Sequence, residues 1–170
     1  GGPAEAEPLR YPGRRLEKGD RVNQRVQGVF LDDYYGILGR CFSIGEADEE
    51  TKRLWSCAVG AQEAGAAALR PGATVADAAA AVSRYLTEKG FPEDDTANIY
   101  GIVYRIGEAP VRYQASERMI LKPGMVLAVT PKLCVKGQDP FCCADAYRIT
   151  EEGCVRLTRT SRELSEIRGW

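Results

Sequence analysis

Residues 45–90, GEADEETKRLWSCAVGAQEAGAAALRPGATVADAAAAVSRYLTEKG, constrain the fold most, because two helix patterns follow one another with only a Pro-Gly break between them. Acidic residues crowd the start of the first. Leu54, Ala58, Ala61, Ala68 and Leu69 then recur near helical spacing, and Pro71-Gly72 closes the run. Thr74 with Asp77 resembles a capping box for the second helix, in which Val75, Ala79, Val82 and Leu86 form an apolar stripe ending at Gly90. Two such helices pack as an antiparallel pair and need a further surface for their stripes.

Strand patterns flank the pair. From Arg21 to Phe30 the apolar residues Val22, Val26 and Phe30 are all even-numbered, and Tyr34-Tyr35 to Phe42 supplies a second run, which predicts an antiparallel hairpin turning at Asp32-Asp33. After the loop FPEDDTA, strands are expected at about 98–106, 125–134, 141–149 and 153–158, separated by Lys122-Pro123-Gly124 and Glu151-Glu152-Gly153. Hairpin, helix pair and four strands in that order predict an α+β fold, with helices covering one face of a mainly antiparallel sheet. The opening GGPAEAEPLRYPGRR has no apolar period. The expectation is one domain over 1–170, with an extended arm or loop at 1–15 and a core at 16–164.

Composition narrows the function classes. The 23 basic and 24 acidic residues are mixed along the chain, so neither nucleic acid nor an anionic membrane meets an obvious counter-surface. No apolar run approaches the ~20 residues that cross a bilayer, and the N-terminus lacks the pattern of a secretory signal, so a cytoplasmic location is expected. Six cysteines, Cys41, Cys57, Cys134, Cys142, Cys143 and Cys154, show no CxxC and read mostly as small buried hydrophobes.

The sharper constraint is the absence of histidine. It removes the commonest general base near neutral pH and the commonest transition-metal ligand, and it excludes Ser-His-Asp and Cys-His nucleophile systems for this chain acting alone. Zinc would need four of the cysteines or carboxylates, and no spacing suggests such a set. Nucleotide-binding glycine patterns and GxSxG are missing too. The pairs Asp32-Asp33 and Asp94-Asp95 fall in a turn and a loop, where Asp usually bonds its own backbone.

Read in order, LEKGDRV, GVFLDDYYGILGRCFSIGEA, LRPGATVADA, GEAP, LKPGMVLAVTP and AYRITEEGCVRLT resemble the successive landmarks of the pita-bread family of methionine aminopeptidases, prolidases and creatinase. The resemblance covers about residues 9–164 and implies a pita-bread fold that lacks the family's first helix pair. It further implies either that a partner chain or a second copy covers the sheet face so left open, since exposed apolar area costs about 25 cal/mol per Å², or that the chain is a fragment of a longer one.

Metal-dependent members hold two ions with Asp, Asp, His, Glu and Glu. The resemblance places those positions on Val26, Ile37, Tyr100, Thr130 and Ala144, so all five ligands are lost. Neutral side chains do not offset the repulsion of two hard cations. The resemblance thus implies a metal-free domain with no cofactor, not an active metallopeptidase, that serves as a binding or assembly subunit. Creatinase resembles the fold without a metal, but its chemistry relies on a histidine where Tyr100 stands here.

On strand parity, Gln24, Tyr35, Tyr100, Thr130, Lys132 and Cys142 share the side of the lost ligands, a polar set suited to a small anionic or amide ligand. Cys143 and Asp145 point the other way. The alternative is a packed core in which Val26, Ile37 and Ala144 fill the space once given to metal. A second functional reading is a metal-independent enzyme for a small amide, peptide or guanidino substrate, with Tyr100 or Cys142 as the candidate catalytic group; Lys132 would lower the thiol pKa. A third has a partner chain supplying the missing histidines and carboxylates. Arg40 is expected to pair with a carboxylate, and Tyr34 and Trp55 read as packing aromatics.

Overall fold

The computed structural model describes residues 15–29, 35–91, 97–101, 111–113, 118–135 and 138–169. Strands β1 (Arg21–Val29) and β2 (Tyr35–Ile44) form the expected hairpin, paired antiparallel from Arg21↔Ser43 to Val29↔Tyr35. The Asp32-Asp33 turn, the arm at 1–14 and the Asp94-Asp95 pair lie outside the described residues.

Both helices form for the local reasons written in their first turns. Helix α1 (Glu49–Ala67) starts at Asp48, whose carboxylate accepts from the Thr51 N–H at 2.6 Å, with Glu49 and Glu50 against the positive end of the dipole. Helix α2 (Val75–Glu88) starts at a reciprocal capping box. The Thr74 hydroxyl accepts from the Asp77 N–H at 3.2 Å, and the Asp77 carboxylate accepts from the Thr74 N–H at 2.7 Å.

The remaining strands are β3 (Ala97–Gly101), β4 (Val111–Tyr113), β5 (Val126–Leu133), β6 (Phe141–Cys142), β7 (Asp145–Ile149), β8 (Cys154–Arg156) and β9 (Ser165–Ile167). They build one sheet ordered β1-β2-β9 and another ordered β4-β3-β5-β7-β8, with β6 paired to β5. The strand expected over 141–149 is two strands, interrupted at Cys143-Ala144. The short β4 and β9 have no counterpart in the sequence reading. β9 joins β2 in parallel from Phe42↔Ser165 to Ile44↔Ile167, a pairing between chain segments far apart in sequence.

The helix pair covers one face of the larger sheet. Leu54, Ala58 and Ala61 of α1 and Val75, Ala79, Val82 and Leu86 of α2 pack with the odd-numbered strand residues Leu127, Val129, Leu133, Tyr147 and Ile149. Even-numbered residues of β5 and β7 project to the opposite face, where Ala128 and Ala144 form a small second cluster with Ile37 of β2. A backbone bridge links the two sheets, where the Gly39 N–H donates to the Ala144 carbonyl at 3.0 Å and the Ala144 N–H returns to Gly39 at 3.2 Å. Glycine is required there because a Cβ on residue 39 would lie 2.8 Å from the Cys142 carbonyl oxygen and 2.9 Å from the Ala144 Cβ.

Candidate functional site

The sheet face opposite the helices sets polar residues beside an apolar floor. Ile37, Ala128 and Ala144 are each at most 2% exposed, and half-buried Cys142 packs against them. Thr130 lies on the same row of β5 and is 2% exposed, and Lys132, two residues on, is half-buried and pairs with Cys142. Tyr100 of β3 is the register partner of Ala128, one member of the floor. Tyr35 begins β2 two residues before Ile37. Five of the six expected binding positions therefore fall in register around one floor.

Gln24 does not. Residues directly opposed in an antiparallel pair share a face, and Ile37 is opposed to Gln27, with Gly39 opposed to Arg25. The residues of β1 that share this face are thus Arg25 and Gln27. Exposed Gln24 and Val26, 36% exposed, sit on the other side, Val26 across from Leu38. The expectation that Val26 packs with Ile37 and Ala144 is corrected accordingly: Ala128 completes that cluster. Arg25 is the functional candidate that parity counted from the apolar residues overlooks. Its signal was the pairing register, since a shift of one residue exchanges the two faces of a strand.

Electrostatically the site is unusual for a face of this kind. Arg25 and Lys132 both lie near enough to Cys142 to draw its pKa down, yet burial is the larger influence and pushes the thiol up. A thiol so placed is a poor nucleophile at neutral pH, in contrast to the lowered value expected from Lys132.

Behind the floor lies a second polar centre, facing the helices as expected for Asp145. Its carboxylate is fully buried and accepts from Arg40 Nη2 at 2.6 Å, Arg162 Nε at 2.7 Å and Gln62 Nε2 at 3.0 Å, and from the Thr158 hydroxyl. Arg40 is the expected partner, and its remaining N–H groups donate to the carbonyls of Gly39, Ala144, Thr160 and Ser161. Trp55 is 3% exposed and packs in the main core, its indole N–H donating to the Arg162 carbonyl at 2.7 Å. This centre fixes the floor from behind.

The donor chemistry at the expected ligand positions does not suit two divalent cations. Ile37 and Ala144 offer hydrocarbon, and Thr130 a neutral hydroxyl. Among the described residues no three His, Cys, Asp or Glu side chains gather as a metal-binding group. Also among the described residues, no helix is long and apolar enough to cross a membrane.

The fold has parallels among known proteins. A probable dipeptidase PepE of Mycobacterium tuberculosis is 31% identical over 165 residues, covering 96% of this chain and 44% of the relative. An Xaa-Pro dipeptidase of Pyrococcus furiosus is 27% identical over 152 residues, covering 89% of this chain and 43% of that protein. The crystal structure of a dipeptidase from Pyrococcus horikoshii superposes with a TM-score of 0.83 at 26% identity, over 95% of this chain and 46% of the other. The chain thus spans less than half the length of each of these three relatives. The pattern of metallopeptidase family M24 matches residues 1–160. With that match and the pita-bread architecture together, the chain belongs to metallopeptidase family M24.

Proposed function

We propose that this chain is a metal-free pita-bread domain that binds a small ligand on the sheet face opposite its helices and works as part of a larger assembly, rather than as a metallopeptidase. The observation that carries this reading is the closed hydrocarbon contact that Ile37 and Ala144, two positions where the family resemblance implies charged oxygens, make with Ala128. Burying two dications against such a surface would forfeit their hydration with nothing in return. The support for assembly is the outer side of the β1–β2 hairpin, where Val22 opposes Phe42 and Val26 opposes Leu38 beyond the reach of the main core. The proposed occupant of that side is a partner segment or chain carrying the helix pair that the resemblance implies.

The test combines metal retention with turnover. After incubation with Mn(II), Co(II) or Zn(II) and gel filtration, the protein is expected to keep no stoichiometric metal and to release no amino acid from Xaa-Pro dipeptides. Two retained ions per chain with dipeptide turnover would overturn the reading. Sedimentation of the purified chain as a stable lone monomer would remove the assembly part. The metal-independent enzyme reading predicts turnover lost in Tyr100→Phe or Cys142→Ala, and the raised thiol pKa weighs against the cysteine route.

A further inference from the structure

We infer that the channel between the edge of β2 and the start of α1 is a binding groove for an extended peptide, filled in this structure by the chain's own residues 158–167 and open by exchange to the same segment of a second copy. The inference is independent of what the sheet face opposite the helices binds.

The groove reads a main chain. Arg40 Nε and Nη2 donate to the Ser161 and Thr160 carbonyls at 2.6 and 3.0 Å, and the Trp55 indole N–H donates to the Arg162 carbonyl at 2.7 Å. Further on, β9 lies parallel to β2, and the Gly45 N–H donates to the Ile167 carbonyl at 2.9 Å. Strand addition of this kind takes affinity from backbone groups that any sequence offers and specificity from a few side chains. Here those side chains are Arg162, whose guanidinium reaches Asp145, Glu63 and Tyr147, and Glu166, which accepts from the Ala47 N–H at 3.0 Å. Between them in sequence, half-buried Leu164 packs against the main core.

The donors are held in place by contacts outside the segment. Arg40 Nη1 is fixed by the carbonyls of Gly39 and Ala144 at 2.6 and 3.0 Å, which keeps its other two nitrogens towards the groove. Trp55 is set in the main core. When Arg162 and Thr158 leave Asp145, the carboxylate keeps Arg40 at 2.6 Å and Gln62 at 3.0 Å, so opening strands no unpaired buried charge.

The occupant, in contrast, is held lightly. No residue from 157 to 169 is buried, and Arg159, Thr160, Ser161, Glu163 and Ser165 are exposed. An element with so little apolar burial belongs to the low end of the scale of local opening energies. Its attachments are mostly hydrogen bonds, which water replaces on release. A second copy carries the same segment and the same groove, so exchange recovers the contacts that opening loses.

The experiment is fluorescence anisotropy of a labelled synthetic peptide, residues 157–169, titrated with the full chain. The peptide is expected to bind the wild-type chain weakly, because the chain's own segment competes. It should bind an Arg162→Gln chain about tenfold more tightly, since that substitution weakens only the competitor. The Arg162→Gln peptide should bind about tenfold more weakly than the wild-type peptide. Leu164→Ala in the chain, which leaves the Asp145 contacts in place, should act in the same direction and serves if circular dichroism shows the Arg162→Gln chain unfolded. In NMR spectra of the isotope-labelled chain, unlabelled peptide should move the amide signals of residues 160–167 to disordered positions while the Trp55 indole signal stays. Equal or undetectable binding across the wild-type and weakened chains would overturn the inference. So would equal binding of the two peptides, or binding that leaves the chain's own 160–167 signals unmoved.

Discussion

The Arg40 guanidinium meets the Asp145 carboxylate at 2.6 Å, with Asp145 wholly out of water, and so ties the hairpin to β7 directly behind the apolar floor. Removing one partner leaves the other charged and unsolvated, a change that costs about 3–5 kcal/mol in buried pairs. Asp145→Ala is therefore expected to lower unfolding free energy by about that amount in urea denaturation. Arg40→Lys retains the charge but cannot reach the carbonyls of Gly39, Ala144, Thr160 and Ser161 together, so it should recover only a minor part of the loss.

Gly39 tests the seam between the two sheets. A methyl group at this position meets backbone on one side, the Cys142 carbonyl at 2.8 Å and the Ala144 nitrogen at 2.9 Å, and neither moves cheaply. Gly39→Ala should cost about 1–3 kcal/mol, read as a lowered melting temperature. Gly72→Ala sits in open space but at φ +82°, so its penalty is conformational. Comparing the two separates crowding from backbone strain.

The helices were legible in the sequence because their determinants are local: Asp48 and Thr74 cap, Asp77 closes the box, and Pro71-Gly72 stops the first run. The hairpin was legible from alternation, but its register was not. Register depends on how many residues the turn takes up, and one residue's difference decides whether Arg25 or Gln24 and Val26 face Ile37. The strand β9 was illegible for another reason. Three residues, exposed at both ends and only partly buried between, have no period to read, and their pairing with β2 is settled by tertiary packing. Ala144 ends up inside a break between β6 and β7 because it bonds across to Gly39, which no neighbouring residue announces.

Acid should loosen the helix starts. Hydrogen bonds from the Thr51 and Thr74 backbone N–H groups hold the Asp48 and Asp77 carboxyls below their ordinary value of 3.8. A carboxyl depressed in the folded chain stabilises it above the unfolded value, and that contribution disappears as pH falls through the folded one. Helical ellipticity is therefore expected to fall on acidification below that range. Asp48→Asn, which caps equally well without titrating, should flatten the dependence. Thr74→Ala should cost about 1 kcal/mol at any pH.

Crowding between the helices predicts a coupled pair. A Cβ on Gly65 of α1 would fall 2.6 Å from Val82 Cγ2 on α2 and 2.9 Å from Val129 Cγ1 on β5. Gly65→Ala alone should destabilise by about 1–3 kcal/mol. Val82→Ala alone opens a cavity, and the two together should cost less than their sum, because the new methyl enters space the valine has left. A double-mutant cycle by chemical denaturation measures the difference, and strict additivity would mean that the helices adjust instead.

The buried thiols give the alkaline limit. Burial pushes Cys41 up to about 11 against the pull of Arg21, and pushes Cys143 up to about 12 with Asp145 adding to it. Each stays a neutral thiol in the folded chain at a pH where the unfolded chain has ionised it. The sign follows: stability from these groups is intact below the unfolded value of 9.0 and falls as pH rises from there towards the folded values. Urea midpoints should decline above that pH, and Cys41→Ala should reduce the slope. Well below pH 9.0 iodoacetamide should alkylate Cys41 about a hundredfold more slowly in the native protein than in urea, from the thiolate fraction alone, and the difference should narrow to about tenfold near pH 10. Equal rates in the two states, followed by peptide mass spectrometry, would place Cys41 outside the core that Leu54 and Phe141 share with it.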